Sequence, residues 1–112
     1  KKNFLVIGVA YKKNINDYRE SPSIEIIKKI LKTKNFKIDY FDPYIPEIKL
    51  ENNQKMKSIK NISKKILQKY SCVIILTDHD NINYNLVLKN SKIIFDTRGV
   101  YESIINNKII KI

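Results

Sequence analysis

The sequence is poor in the residues from which many common sites are built. It has two glycines, one cysteine, one histidine and no tryptophan among 112 residues. With only Gly8 and Gly99, it contains neither the GxGxxG motif of dinucleotide-binding turns nor the GxxxxGK[ST] motif of P-loops. A single cysteine excludes an internal disulfide and is compatible with a reducing cytoplasm. No apolar run approaches the roughly 18 residues of a membrane span, so we expect no membrane partner.

The lone cysteine and the lone histidine both favour structural interpretations. Cys72 begins the apolar run CVIILT, which is typical of a core cysteine rather than of a nucleophile. His79 lies between Asp78 and Asp80, a pattern that hints at a metal or a general base. Because the chain offers no second histidine or cysteine nearby, we interpret His79 as a loop histidine beside a helix cap. We therefore expect no metal site.

The charge is strongly basic, with 22 lysines and arginines against 11 acidic residues and a formal net charge of +11. Such a balance is often a sign of nucleic-acid binding. Here the lysines are spread along the whole sequence without the tight basic run of a nucleic-acid arm, so we expect no nucleic-acid partner. Only Arg19 and Arg98 are arginine. A chain that uses lysine for general charge is expected to keep arginine for planar, bidentate contacts.

Apolar runs alternate with helical patterns along the chain. This alternation predicts an α/β fold: a three-layer, Rossmann-like sandwich with a doubly wound, mainly parallel five-stranded sheet of order 2-1-3-4-5. We expect one domain over residues 1–112. The predicted strands are Phe4–Ala10, Lys37–Asp42, Cys72–Thr77, Lys92–Asp96 and Lys108–Ile112.

The helical signals are of unequal strength. Ser21 and Pro22 form a good N-cap and first helical position. Apolar residues at helical spacing also predict an amphipathic helix through Ile59, Ile62, Ile66 and Tyr70. We expect a short helix at Tyr84–Lys89, one or two helical turns at Val100–Ile105 and an irregular excursion over residues 43–57.

Four polar segments follow the predicted strands: AYKKNINDYRES, DPY, TDHDNIN and DTRGVY. In open α/β sheets, ligands bind beyond the carboxyl ends of the strands, where the strand order reverses. The rim there is predicted to collect an aromatic ring and several cations, namely Tyr11, Lys12, Lys13, Arg19 and Arg98. That combination suits an anionic ligand with a flat ring, such as a nucleotide diphosphate.

These segments also carry a resemblance. GVAYKKNINDYRESPSIEII resembles the start of the C-terminal, UDP-binding domain of the UDP-glucose/GDP-mannose dehydrogenase family, and FDPYIP, VIILTDHDNIN and IIFDTRGVY continue its pattern in order. The resemblance covers nearly the whole chain and is weakest over residues 46–69. The sequence of these motifs is most similar to that of the branch that oxidises UDP-N-acetylglucosamine or UDP-N-acetylmannosamine at C6. Asn14 and Asn16 stand where the family more often has acidic residues.

The resemblance implies roles for particular residues. Tyr11, Lys12 and Arg98 match positions that contact the UDP-sugar, and Arg19 matches an arginine that reaches NAD across an interdomain cleft. Glu20 either orients Arg19 through an ion pair or is a solvated glutamate of the first helical turn. No catalytic residue is expected within these 112 residues, because the NAD-binding domain, the catalytic cysteine and the central dimerising helix of such enzymes lie elsewhere. Since the chain begins at Lys1 without methionine, we expect a domain cut from a longer protein.

The predicted function is therefore UDP-sugar binding within an NAD-dependent UDP-sugar 6-dehydrogenase, a cytoplasmic homodimer or larger oligomer that makes polysaccharide precursors. Its partners would be the other domains of the parent chain. One alternative is a stand-alone nucleotide-binding or regulatory α/β module without catalysis. A receiver-like module, however, needs an acidic pair after the first strand, where this chain has Tyr11 and Lys12. The other alternative, a basic nucleic-acid-binding domain, needs its lysines on one face.

Overall fold

Five parallel strands form the main sheet of the computed structural model, which describes residues 2–112 except for the side chain of Asn52. The strand order is β2-β1-β5-β6-β7, and a separate two-stranded antiparallel hairpin pairs β3 with β4. The order and the parallel pairing predicted from the sequence are confirmed. The elements in chain order are β1 (Lys2–Ile7), α1 (Pro22–Lys32), β2 (Phe36–Phe41), β3 (Glu47–Lys49), β4 (Lys55–Lys57), α2 (Lys64–Leu67), β5 (Cys72–Ile75), α3 (Tyr84–Asn90), β6 (Ile94–Asp96) and β7 (Ile109–Lys111).

The two faces of the sheet carry separate apolar clusters. Helix α1 and the β3–β4 hairpin cover one face around Val6, Ile27, Tyr40 and Ile48. Helices α2 and α3 cover the other face, where the largest cluster of buried residues lies. The predicted N-cap of α1 is confirmed, because the Ser21 hydroxyl accepts a hydrogen bond from the N–H of residue 23 at 3.3 Å.

Part of the α1 face is not covered by any element within residues 2–112. The register places Val6, Ile74, Phe95 and Ile110 in one row across β1, β5, β6 and β7. Val6 is fully buried, whereas Ile110 is 41% exposed. The sheet therefore presents an open apolar surface over β6 and β7.

The predicted strands β1 and β5 are too long at their carboxyl ends. Strand β1 ends at Ile7 because Gly8 has φ +87°, and the N–H groups of Val9 and Ala10 turn to the Asp42 carboxylate rather than to a neighbouring strand. Strand β5 ends at Ile75.

Three predictions outside the sheet are wrong. Residues 43–57 contain an antiparallel hairpin, in which the buried Ile48 pairs with Met56. The helix expected from Ile59 onward is only Lys64–Leu67, because Ile59 donates its N–H to Tyr40 O and stays extended. Residues 100–103 form turns and residues 104–105 have no regular structure, so the expected helical turns do not extend over this segment.

Candidate functional site

The loops that follow β1, β5 and β6 leave the same edge of the sheet, since these strands are parallel neighbours. Strand order reverses between β1 and β5, which makes this edge the expected ligand position. Tyr11 and Lys12 follow β1, and Arg98 follows β6. The structure thus puts the three predicted substrate contacts in the loops of one edge.

Arg98 is held by the turn that ends β6. The Asp96 carboxylate is buried and accepts hydrogen bonds from the N–H groups of Arg98, Val100 and Tyr101 at 3.1, 3.1 and 2.8 Å. The side chain then crosses the end of β5, where its Nε donates to Leu76 O at 2.8 Å. Within residues 2–112 its two Nη atoms have no hydrogen-bond or ion-pair partner. The guanidinium is therefore oriented through one nitrogen and leaves the other two for a ligand.

Tyr11 and Lys12 form an exposed aromatic and cationic pair. The N–H of Tyr11 donates to Asp17 O at 2.8 Å, which closes the segment between them into a loop. The Tyr11 side chain is 46% exposed, and Lys12 Nζ lies 5.9 Å from the centroid of the Tyr11 ring. A flat base can stack on this ring while the ammonium stays in reach of a phosphate.

Arg19 is paired with Asp17 and not with Glu20, which is exposed, so the solvated alternative for Glu20 is the one that the structure favours. Arg19 Nε and Nη2 donate to the two carboxylate oxygens of Asp17 at 3.1 and 2.9 Å. These hydrogen bonds lower the pKa of Asp17 to about 2. The Arg19 side chain is 84% exposed.

A buried carboxylate–imidazole pair lies beneath the loop that follows β1. His79 Nε2 is 2.9 Å from Asp42 Oδ2, and neither side chain is exposed. Asp42 Oδ2 also accepts hydrogen bonds from the N–H groups of Val9 and Ala10 at 2.8 and 3.1 Å. Sequence reasoning missed this pair. The available signal was an aspartate and a histidine following two strands that flank β1.

His79 lies, as interpreted, in the loop that leads to the N-cap Asn83 of α3, but its side chain is fully buried, which the sequence did not indicate. Its Nδ1 accepts a hydrogen bond from the N–H of Asn14 at 2.7 Å, so its Nε2 carries the proton that is donated to Asp42. Both ring nitrogens are thus occupied. Among the described residues no group of three or more metal-ligating side chains comes together.

Cys72 is buried in β5, in agreement with the core position expected for it. Burial raises the pKa of its thiol to about 11, which keeps the thiolate scarce at neutral pH. A nucleophilic role is therefore disfavoured.

A cavity of about 630 Å³ lies beside the carboxyl end of β2. Its lining includes Phe41, Pro46, Lys57 and Ile59, and it does not include Tyr11, Lys12 or Arg98. The predicted substrate contacts thus occupy an open rim.

None of the helices in the described part of the chain has the length and the apolar character of a membrane span.

Comparison with known proteins gives a consistent set of similarities. A family model described as the UDP-glucose/GDP-mannose dehydrogenase family, UDP binding domain, matches residues 5–103. The chain is 32% identical over 104 residues to a UDP-N-acetyl-D-mannosamine dehydrogenase of Methanococcus vannielii, covering 85% of this chain and 22% of that protein. It is 32% identical over 114 residues to a UDP-glucose 6-dehydrogenase of Rickettsia bellii, covering 91% of this chain and 25% of that protein.

Solved structures show the same fold. A UDP-D-ManNAc dehydrogenase from Pyrococcus horikoshii superposes with a TM-score of 0.71 at 22% identity, covering 100% of this chain and 25% of the other. The native UDP-N-acetyl-mannosamine dehydrogenase of Staphylococcus aureus gives a TM-score of 0.70 at 24% identity, covering 99% of this chain and 26% of the other. The chain therefore spans about a quarter of the length of the relatives it matches.

Proposed function

Because this chain belongs to the UDP-glucose/GDP-mannose dehydrogenase family, whose UDP-binding domain it matches over residues 5–103, we propose that it binds the UDP moiety of a nucleotide sugar. The site is the rim formed by the loops after β1, β5 and β6. Tyr11, Lys12 and Arg98 contact the ligand: the Tyr11 ring stacks on the base, and the two cations bind the diphosphate.

The observation that carries this proposal is the state of Arg98. Its Nε is fixed on Leu76 O, and its Nη atoms are without a partner among residues 2–112. A planar fork that is oriented in advance but still has free donors suits the oxygens of a diphosphate. The buried Asp96 keeps the turn rigid, so little conformational entropy is lost when the ligand binds.

The parent protein is proposed to oxidise the C6 alcohol of a UDP-sugar to a carboxylate. Two hydrides pass from C6 to two NAD⁺ molecules, one water molecule supplies the second carboxylate oxygen, and three protons are released. A UDP-N-acetylhexosamine is the proposed substrate, and a polysaccharide precursor the product. The Methanococcus relative is named for UDP-N-acetyl-D-mannosamine and the Rickettsia relative for UDP-glucose. The catalytic groups are assigned to the parent chain outside these residues, since Cys72 is buried with a raised pKa.

Arg19 is the residue of this chain proposed to contact NAD, most of whose site would lie elsewhere in the parent protein. The side chain fits such a role, because its guanidinium is exposed and oriented by Asp17. A pre-oriented arginine can bind a cofactor phosphate from across a cleft.

The proposed partners are the other domains of the parent chain and a second subunit. The open apolar surface around Ile110 on β7 is suited to contact with the parent chain. A cytoplasmic location is proposed, where NAD and nucleotide sugars are available.

Calorimetric titration of the 112-residue chain with UDP tests this function. We expect saturable binding at about millimolar level, which corresponds to about 4 kcal/mol, because the other domains complete the cleft. Duplex DNA should bind only as a generic polyanion and lose affinity steeply with added salt. Salt-resistant DNA binding without any UDP binding would reverse the assignment in favour of a nucleic-acid-binding domain.

A further inference from the structure

We propose that Asp42 and His79 are positioning residues which set the loop carrying Tyr11 and Lys12 in its ligand-binding conformation, and that Asn14 transmits their effect. Neither side chain of the pair reaches the rim, since both are fully buried. They act through the backbone of residues 9–14. The identity of the ligand rests on the proposed function, whereas the effect of the buried pair on the loop conformation does not.

The first step is the anchoring of the start of the loop. Asp42 follows β2 and accepts hydrogen bonds from the N–H groups of Val9 and Ala10, the two residues before Tyr11. Its other oxygen accepts from the N–H of Tyr44 at 2.8 Å. A buried carboxylate with these donors and the His79 N–H is fully satisfied, so the loop begins from a fixed point.

The second step is the anchoring of the loop beyond Lys12. His79 follows β5 and accepts the N–H of Asn14 at Nδ1, at 2.7 Å. Because Nε2–H is donated to Asp42, the imidazole links the β2 end and the β1 loop through one ring. A neutral ring with its proton on Nε2 satisfies both contacts, and a ring protonated on Nδ1 does not.

Asn14 adds a second connection at the same point. Its side-chain amide donates to Asp80 Oδ2 at 2.7 Å, and its Oδ1 accepts the N–H of Asp80 at 2.9 Å. An aspartate here would lack the donor and would bring two carboxylates together. These contacts explain why asparagine, which also tolerates the observed φ of +64°, suits a position where the family that the chain resembles more often has an acidic residue.

The consequence concerns the residues between the two anchors. Tyr11, Lys12 and Lys13 lie between the pinned N–H groups of Ala10 and Asn14, so their side chains point out from a short segment fixed at both ends. Only molecules that have this segment in place bind tightly, so the apparent affinity is proportional to their fraction. Loss of an anchor reduces that fraction and therefore weakens apparent binding. The buried pair thereby controls ligand affinity without touching the ligand.

The test uses Asn14→Gly in the 112-residue chain, which keeps the positive φ accessible and removes both contacts to Asp80. Asn35→Gly is the matched control, because Asn35 is also exposed with a positive φ of +69° but lies before β2, at the opposite edge of the sheet. We expect Asn14→Gly to weaken UDP binding roughly 3- to 10-fold and to speed hydrogen exchange of the loop amides. Asn35→Gly should leave both unchanged.

His79→Gln and His79→Asn separate the two bonds of the imidazole. Glutamine can place its amide near the Nε2 position and keep the bond to Asp42, whereas asparagine can place its oxygen near Nδ1 and keep the bond to Asn14. Of the two, we expect His79→Asn to retain the slower exchange of the Asn14 amide. In the wild type, ¹⁵N shifts of the imidazole should report the Nε2–H tautomer.

Two results would overturn the inference. One is an imidazole found as the Nδ1–H tautomer; the other is a His79→Gln variant whose Asn14 amide exchange and UDP affinity equal those of the wild type. An Asn14→Gly variant that behaves like Asn35→Gly would overturn the part assigned to the Asn14 side chain. If the wild type does not bind UDP at all, the proposed function fails. The exchange and tautomer measurements still decide whether the buried pair sets the loop.

Discussion

Gly8 and Thr77 are packed so closely that a side chain on Gly8 has no room. A Cβ placed on Gly8 would lie 2.4 Å from Thr77 O and 2.5 Å from Thr77 Cβ. The Thr77 hydroxyl also donates to Ala10 O at 2.7 Å. The β1 loop therefore rests directly on the end of β5 at the point where strand order reverses.

Gly8→Ala should be strongly destabilising. Gly99→Ala is the matched control, since Gly99 also has a positive φ (+71°) but its added Cβ would come no closer than 3.5 Å to another heavy atom. Both variants carry the strain of a left-handed alanine, and only Gly8→Ala adds the clash. In urea unfolding we expect Gly8→Ala to lose about 1–3 kcal/mol more than Gly99→Ala. Equal losses would mean that the contact with Thr77 relaxes freely.

In the parent protein, proposed above to be a UDP-sugar dehydrogenase, Arg98→Lys should raise the KM for the UDP-sugar. Lysine keeps the charge but cannot bind Leu76 O and present two further nitrogens at once. Loss of one charge-assisted hydrogen bond costs about 1.5–3 kcal/mol, or roughly 10- to 150-fold. The stability of the protein should change little, because Arg98 is on the rim. Unfolding of the variant, with normal kinetics in the folded remainder, would show that Arg98 is structural.

Arg19→Lys should instead raise the KM for NAD and leave that for the UDP-sugar unchanged, so the two arginine variants serve as controls for each other. In the isolated chain, the same substitution should raise the pKa of Asp17 from about 2 towards its usual value of 3.8, since its hydrogen bonds to Arg19 lower it. The ion pair of the wild type is present above pH 4 and is lost as pH falls through about 2. An NMR titration of the Asp17 carboxyl measures this shift, and an unchanged pKa would contradict the pairing.

Cys72 should be inert in the folded protein. Because burial raises the pKa of its thiol to about 11, an aromatic disulfide reagent at pH 8 should react only as fast as the chain unfolds. Protein unfolded in urea is the control and should react at once. Rapid stoichiometric reaction of the native chain would make Cys72 a candidate nucleophile again.

The sheet could be predicted from the sequence because its strands are local signals. Apolar runs such as CVII need burial on both faces, and Ser21-Pro22 marks the start of α1 wherever the rest of the chain goes. The family resemblance was confirmed by the match over residues 5–103. Alternation and caps determine the layers and the strand order, and with them the edge that carries the candidate site.

The Asp42–His79 pair could not be predicted in the same way, since it joins residues 37 positions apart that have no shared periodicity. The end of β1 was predicted wrongly for the same reason, because Val9 and Ala10 are apolar but donate their N–H groups to Asp42. The β3–β4 hairpin was missed because three-residue strands give too little alternation to be recognised. The first two failures lie where a tertiary contact overrides a local pattern, and the third lies where the local pattern is too short.

The central claim is that UDP binds at the rim formed by the loops after β1, β5 and β6. Titration of the ¹⁵N-labelled 112-residue chain with UDP, followed by amide and arginine Nε resonances, tests it most directly. We predict saturable shifts at Tyr11, Lys12 and the Arg98 Nε–H, with none at Ile110 on β7. Saturable shifts confined to the cavity beside β2, around Pro46 and Lys57, or no saturable shifts at all, would contradict the claim.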